Sequence, residues 1–251
     1  MKIESFKKMS KNKYKLIFSD QSFLTVYEDV IVKNNLLINK DIDLEKIKKE
    51  NNEIDIYYQA LSYLNKKMRS TFELKKYLNK KDYNSKLITD TINKLTQEGY
   101  LNDLKYAQAF VNDRVNLSND GPDKIKKDLE SHQIDLKIIE EIISQIKPQD
   151  LEEKINRIIS KNLKLNKKYN GQVLKMKILN KFINLGYNMN QVISLLENYN
   201  LNDQLDIQKD YDKLFKKYQS KYDNYKLKMT IKQKLYQKGY NSQDIEKIER
   251  N

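Results

Sequence analysis

Lysine and tyrosine side chains alternate in two segments of this chain, residues 161–169 and 215–228. Lysine ammonium groups neutralise phosphates, and tyrosine rings stack on unpaired bases. These segments therefore indicate salt-dependent binding of a nucleic acid that is largely indifferent to its sequence. Tyr218, Tyr222 and Tyr225 also follow helical spacing, so an internal helix face is the alternative interpretation.

Residue sets for catalysis or metal binding are poorly represented. The chain has no cysteine and a single histidine, His132, which excludes disulfides, thiolate sites and histidine clusters. The acidic pairs at 140–141 and 152–153 are adjacent residues, which point to different faces of a helix. Gly121 and Gly171 stand alone, so no glycine-rich loop is present to hold a phosphate. We predict a protein that is not an enzyme and has no cofactor or metal; a nuclease or transferase with a scattered site is the weaker alternative.

The positive charge is concentrated in the second part of the sequence. Residues 1–150 carry 27 basic and 24 acidic side chains, and residues 151–251 carry 21 and 11, so their net charges are +3 and +10 of the total +13. Between Lys161 and Leu196 there are seven lysines and no acidic residue. This asymmetry indicates a surface that faces a polyanion. Solvated lysines on exposed helix faces are the alternative.

Neither a membrane span nor a secretion signal is evident. No run approaches the ~18 consecutive apolar residues of a membrane helix. The first six residues lack the apolar region of a signal peptide. We predict a cytoplasmic protein with no membrane partner.

A pattern of apolar and turn residues recurs four times, with offsets of 51, 53 and 53 residues between its leading positions Leu74, Ile125, Ile178 and Ile231. Self-similarity at a fixed period is typical of tandem repeats of one supersecondary unit, which present an extended surface to a large partner. Helical spacing within each copy predicts three helices. The predicted fold is all-α, an elongated array of three-helix repeats 1 to 4 at residues 53–101, 102–147, 148–200 and 201–251.

The first 52 residues differ from the rest. The segments 13–18 and 22–27 are rich in β-branched and aromatic residues and predict a β-hairpin, with residues 3–8 as a candidate third strand. A short helix is expected after Glu28, and regular helical spacing begins near Asp55.

The turn between the second and third helix of each repeat has its own signature. Gly186 and Gly239 are expected to end a helix in the left-handed conformation, and Asn188 and Asn241 to cap the next helix. Asp82 and Gln133 occupy the glycine position in repeats 1 and 2. The tyrosines that follow this position, Tyr83, Tyr187 and Tyr240, are predicted to pack in the core.

Residues 60–143 resemble the RecX family of regulatory proteins. The resemblance is carried by Arg69-Ser70-x-x-Glu73-Leu74, by the segment 99–111 with its Gly-Tyr-Leu-Asn-Asp start, and by Gly121-Pro122-x-x-Ile125. The order and spacing of these motifs are specific. The N-terminal hairpin and the segment 28–33 resemble the extension of longer family members, and repeats 3 and 4 match mainly through the internal repeat.

The resemblance implies a regulator of the RecA recombinase. Such proteins lie in the groove of the filament that RecA forms on single-stranded DNA, and they suppress strand exchange, ATP hydrolysis and coprotease activity. Recombination, DNA repair and the SOS response are then the processes affected, the partners are the RecA filament and its single-stranded DNA, and a monomer is expected. A direct single-stranded DNA-binding protein that acts by competition is the alternative.

The charged groups expected to contact a partner or DNA lie in the loops and helices of all but the N-terminal segment. For Arg69, a local salt bridge or helix cap is the alternative. Arginine is scarce in this chain, however, and its planar guanidinium group suits bidentate recognition. The set is Arg69, Arg114, Lys161, Lys164, Lys167, Lys168, Lys175, Lys177, Lys216, Lys217, Lys221, Lys226 and Lys228.

Overall fold

The computed structural model describes residues 1–10, 12–202 and 205–250, without the side chains of residues 249 and 250. It forms two compact units, one of Met1–Ala107 with His132–Ile134, the other of Gln108–Ser131 with the chain from Asp135 onward. The described part contains three strands and thirteen helices: β1 Ile3–Ser10, β2 Lys13–Phe18, β3 Phe23–Tyr27, α1 Glu28–Lys33, α2 Leu44–Leu64, α3 Thr71–Asn79, α4 Ser85–Gln97, α5 Asp103–Leu117, α6 Pro122–Ser131, α7 Leu136–Ser144, α8 Pro148–Leu165, α9 Gly171–Leu185, α10 Met189–Leu196, α11 Ile207–Tyr218, α12 Asn224–Lys238 and α13 Ser242–Arg250. The predicted helical fold with an N-terminal hairpin is confirmed.

The N-terminal strands form an antiparallel sheet in the order β1-β2-β3. The candidate third strand is therefore present as β1. Leu16 pairs with Phe6 on one side and Leu24 on the other, and its side chain is buried in a cluster with Phe18 and Val26. Alternation of apolar and polar residues along β2 gives the sheet one buried face.

Helix α2 begins earlier than the sequence pattern indicates. It starts at Leu44, where the Asp43 carboxylate accepts the N–H groups of Glu45 and Lys46, and it runs unbroken through residues 52 and 53. The expectation that helical spacing starts near Asp55 was wrong because only Ile47 is buried in the first two turns. The N-terminal segment and repeat 1 thus share one helix, and the boundaries of the repeats stay a prediction.

The Asp55 carboxylate on α2 links the β-sheet to repeat 1 through hydrogen bonds. It accepts hydrogen bonds from the Tyr27 hydroxyl at 2.7 Å, the Lys13 ammonium at 3.3 Å and the Tyr83 hydroxyl. Burial raises the pKa of Asp55, but the three donors outweigh burial and hold the pKa below its usual value of 3.8. Strand β2, strand β3 and the α3–α4 turn therefore meet at one negative charge.

Replacing Asp55 with asparagine is expected to lower the free energy of unfolding by about 1–3 kcal/mol, because hydrogen bonds to a charged group are lost. A carboxylate with a depressed folded pKa stabilises above its unfolded pKa, and this contribution declines as the pH falls below about 4 and is lost when the pH falls through the folded pKa. Chemical denaturation should show a larger difference between wild type and variant at pH 7 than at pH 3. The exposed Asp90→Asn is the control, and an equal loss in both variants would contradict the assignment.

Each repeat buries its leading apolar residue, and the turn after the second helix adopts the predicted conformation. Gly186 and Gly239 have φ of 74° and 99°, and Asp82 and Gln133 have φ of 57° and 53° at the same position. Asn188 accepts backbone N–H groups of α10. The predicted left-handed turn is thus confirmed in all four repeats.

Within the second unit, adjacent repeats are joined by a close approach of glycine backbones. The Gly121 N–H donates to the Leu185 carbonyl at 2.6 Å, just before Gly186. One repeat later, the N–H of Asn170, which precedes Gly171, donates to the Lys238 carbonyl at 2.6 Å, just before Gly239.

Side chains at these glycines would collide with the facing backbone. A Cβ on Gly171 would lie 2.7 Å from the Gly239 oxygen, and one on Gly121 would overlap the Gly186 carbonyl. The starts of α6 and α9 thus rest on the turn of the next repeat.

Candidate nucleic-acid and partner interface

Arg69 lies in the loop before α3 and is engaged locally. Its Nη1 donates to the Glu73 carboxylate at 3.0 Å, while Glu73 also completes a capping box with Ser70. The guanidinium lies 4.4 Å from the centre of the Tyr63 ring, which stacks on Tyr77 at 4.1 Å. With 17% of the side chain exposed, Arg69 makes the local salt bridge that the sequence left open as the alternative.

Arg114, on α5, is paired with two carboxylates. Nη1 contacts Asp120 at 3.1 Å and Nη2 contacts Asp128 at 3.3 Å, and the guanidinium lies over the Phe110 ring. Burial raises the pKa of Asp120, but hydrogen bonds from Lys124 and Ser118 and the nearby cations outweigh it, so the pKa is lowered. The two carboxylates offset the charge of Arg114, so it attracts a phosphate less strongly than an arginine without a carboxylate partner.

Lys154 is a buried lysine that the sequence analysis missed. Its Nζ donates to the carbonyls of Val115 at 2.8 Å, Arg114 at 3.3 Å and Asp120 at 3.4 Å, at and just after the end of α5. Burial lowers the pKa of Lys154, and the Arg157 charge lowers it further. A cation at these carbonyls offsets the negative end of the helix dipole. Spacing was the available signal, because Lys154 stands three residues after Leu151 and four before Ile158 on the apolar face of α8.

The predicted lysines of repeats 3 and 4 differ from the two arginines. None of the eleven pairs with a carboxylate among the residues that the structure describes. All are exposed except Lys175, which is half-buried. Their charges are therefore available to a polyanion, and the members are Lys161, Lys164, Lys167, Lys168, Lys175, Lys177, Lys216, Lys217, Lys221, Lys226 and Lys228.

The α8–α9 loop holds Tyr169 between two of these lysines. The Asn166 side chain accepts the N–H groups of Lys168 and Tyr169 and donates to the Tyr169 carbonyl at 2.6 Å, which fixes the loop. The ammonium groups of Lys177 and Lys168 lie 4.4 Å and 5.3 Å from the ring centre. A hydrogen bond from Lys168 and the charges of both lysines lower the pKa of the Tyr169 phenol, as expected where the local potential is positive.

The tyrosines of 215–228 divide between the two interpretations. Tyr218 and Tyr222 are half-buried, stack at 5.8 Å and pack against the cluster that contains Leu227. Tyr225 is 78% exposed at the start of α12. The interpretation as an internal face therefore applies to Tyr218 and Tyr222. It does not apply to Tyr225, because the turn at residues 219–223 interrupts the helix before this residue.

His132 is half-buried, and its Nδ1 lies 3.2 Å from the Tyr106 hydroxyl. The described residues contain no group of three or more histidine, cysteine or carboxylate side chains placed to hold a metal ion. No helix in this described part is both long and apolar enough to cross a membrane.

Family models of RecX match the first two repeats. The first three-helix domain of RecX matches residues 57–95, and the second three-helix domain matches residues 102–143. These segments hold α3 and α4 with the end of α2, then nearly all of α5 to α7. The family match therefore coincides with the helices of repeats 1 and 2.

Several curated relatives carry the name regulatory protein RecX. The protein of Streptococcus agalactiae serotype Ia is 34% identical over 160 residues, 62% of each chain. That of Bacillus pumilus is 34% identical over 154 residues, 57% of this chain and 56% of the relative. That of Bacillus subtilis is 30% identical over 149 residues, 58% of this chain and 56% of the relative. The chain thus spans less than two thirds of the length of these relatives.

Two solved structures share the fold. A crystal structure of regulatory protein RecX matches with a TM-score of 0.67 and 19% identity, over 79% of this chain and 99% of that one. The crystal structure of RecX from Lactobacillus salivarius matches with a TM-score of 0.54 and 24% identity, over 59% of this chain and 97% of that one. The resemblance to the RecX family is confirmed by the family models, whose first and second three-helix domains match residues 57–95 and 102–143.

Proposed function

We propose that this chain regulates the RecA recombinase by binding in the groove of the RecA–single-stranded DNA filament, where it inhibits strand exchange, ATP hydrolysis and coprotease activity. The observation that carries the proposal is the succession of two RecX domains at residues 57–143. Recombination, DNA repair and the SOS response are the processes that such a regulator affects. The chain acts as a monomer, without a cofactor and without catalysis of its own.

The repeat construction suits a filament as partner. A filament presents the same surface at regular intervals, and tandem repeats present related surfaces in series. Lysines of repeats 3 and 4 that have no carboxylate partner among the described residues supply the positive charge that DNA phosphates require. Repeats 1 and 2, whose arginines are held in ion pairs, then contribute mainly to protein contacts.

The direct test is hydrolysis of ATP by RecA on single-stranded DNA, with the purified chain added in increasing amounts. Inhibition is expected at substoichiometric amounts, because one bound regulator blocks the movement or growth of a polymer of many subunits. Undiminished hydrolysis at equimolar protein would refute the proposal. A variant with Leu74→Asp, which disrupts the buried core of repeat 1, is the inactive control.

A second candidate function is direct binding of single-stranded DNA, with any effect on RecA arising from competition. The exposed lysines that have no carboxylate partner in the described part of the chain favour it. Competition predicts that inhibition disappears when free single-stranded DNA is added in excess after filaments have formed. Binding in the filament predicts that the chain sediments with preformed filaments at moderate salt, where non-specific binding to DNA is weak.

A further inference from the structure

Repeats 3 and 4 carry the same exposed side chains at equivalent places. Helices α9 and α12 both have 15 residues, both follow a loop of five residues, and both end before a left-handed glycine. Identical residue types that lie 53 positions apart include the pairs Lys164 and Lys217, Lys168 and Lys221, Tyr169 and Tyr222, Lys175 and Lys228, and Met176 and Met229.

The exposure matches in four of these pairs, whereas in the fifth Lys175 is half-buried and Lys228 is exposed. Lys164, Lys168 and their counterparts are exposed, and Tyr169 and Tyr222 are both half-buried. Met176 and Met229 are 54% and 52% exposed. Each tyrosine ring has an ammonium group over it from a lysine at a different position of its repeat, Lys177 at 4.4 Å from Tyr169 and Lys226 at 5.2 Å from Tyr222.

Core packing does not account for this repetition. The buried leading residues have to recur in every repeat because they fill the core, whereas exposed lysines and methionines do not. Helices α9 and α12 start seven residues before the leading isoleucine, whereas α3 and α6 start three residues before theirs. The second helices of repeats 1 and 2, α3 and α6, therefore lack the extra N-terminal turn with which α9 and α12 begin directly after the loops that carry the lysines.

We propose that repeats 3 and 4 form a duplicated binding surface for single-stranded DNA, with one equivalent site on each repeat. The repeat 3 site consists of Lys164, Lys168, Tyr169 and Lys175, and the repeat 4 site of Lys217, Lys221, Tyr222 and Lys228. This inference deepens the proposed function and rests on it only in taking single-stranded DNA as the polyanion.

The chemistry of both sites fits a flexible polymer of phosphates. Lysine is a compact charge on a flexible stem and accepts phosphates in many orientations, whereas arginine imposes a planar fork. Tyr169 and Tyr222 are half-buried and pack against the apolar clusters of their repeats, so these rings hold the loops in place and the lysines make the contact with DNA. Two equal sites in series bind one strand with a high effective local concentration for the second contact.

The test compares two variants that each remove two positive charges with a control that removes the same number, in fluorescence titrations against oligothymidylate without RecA. Lys164→Gln with Lys168→Gln disables the repeat 3 site, Lys217→Gln with Lys221→Gln disables the repeat 4 site, and Lys75→Gln with Lys80→Gln alters two exposed lysines of repeat 1. Each contact contributes about 0.7 to the slope of log affinity against log salt. Each site variant should therefore lose about 1.4 units of slope and about twentyfold in affinity at ~0.1 M salt, with equal losses for the two.

The combined four-lysine variant should lose about 2.8 units of slope, and the control pair should bind like the wild type. Unchanged binding in both site variants, or an equal loss in the control pair, would overturn the duplicated site. If the site variants bind DNA normally but fail to sediment with RecA filaments, the surface faces protein and the inference is wrong. The proposed function fails separately, when the wild type does not inhibit RecA although it binds DNA as described.

Discussion

Replacing Gly239 with alanine is expected to destabilise the second unit by about 3–4 kcal/mol. The left-handed φ of 99° costs an alanine about 1–2 kcal/mol. The new Cβ would also overlap the Asn170 carbonyl, so the backbones have to separate. Separation breaks the 2.6 Å hydrogen bond from the Asn170 N–H to Lys238, at about 1 kcal/mol, and exposes apolar surface. Chemical denaturation measures the loss.

Gly99 provides the matched control for this change. Its φ is 80°, but a Cβ built on it meets no atom within 4 Å. In Gly99→Ala only the left-handed backbone conformation is unfavourable, so the free energy of unfolding should fall by about 1–2 kcal/mol. Limited proteolysis of Gly239→Ala should release the residues after 202 first. Equal losses in the two variants would mean that the close approach of the repeats contributes nothing to stability.

Periodic features were predictable from the sequence because they depend on neighbours along the chain. The spacing of Leu74, Ile125, Ile178 and Ile231 identified the repeats, and all four are buried. The glycine position after each second helix was recognisable because only a few residue types accept positive φ. Even Gln133, an unusual residue there, adopts it with φ of 53°.

Contacts between distant residues were not predictable in the same way. Arg114 on α5 forms an ion pair with Asp128 on α6, and nothing in the local sequence distinguishes this paired arginine from a solvated one. The start of α2 was missed because its first turns are mostly solvated and carry few apolar residues. Gly121 and Gly171 were recognised as isolated glycines, but their meaning depends on the facing backbone of the next repeat.

The residues of the candidate site were likewise predictable only in part. Composition identified the lysines of repeats 3 and 4, and the structure leaves them without described carboxylate partners. Composition also selected Arg69 and Arg114, whose scarcity suggested a recognition role, yet both are held in ion pairs. Charge count alone does not separate cations that serve the fold from cations that are free to bind.

Lys154 is the clearest cation that serves the fold, and Lys154→Met is expected to lower the free energy of unfolding by about 2–4 kcal/mol. Methionine retains most of the side-chain volume but cannot donate, so the carbonyls of Arg114, Val115 and Asp120 lose their shared partner. A buried polar group without a partner costs about 1–3 kcal/mol, and part of this is offset because an ammonium group no longer has to be desolvated.

Lys161→Met, at an exposed position on the same helix, should change stability by no more than about 0.5 kcal/mol. Chemical denaturation of both variants, with hydrogen exchange of the last turn of α5, measures the effect where it arises. Faster exchange at residues 115–118 in Lys154→Met is expected because that turn loses its cation. If Lys154→Met is as stable as Lys161→Met, the buried ammonium contributes no net stability, and apolar packing alone holds α8 against α5.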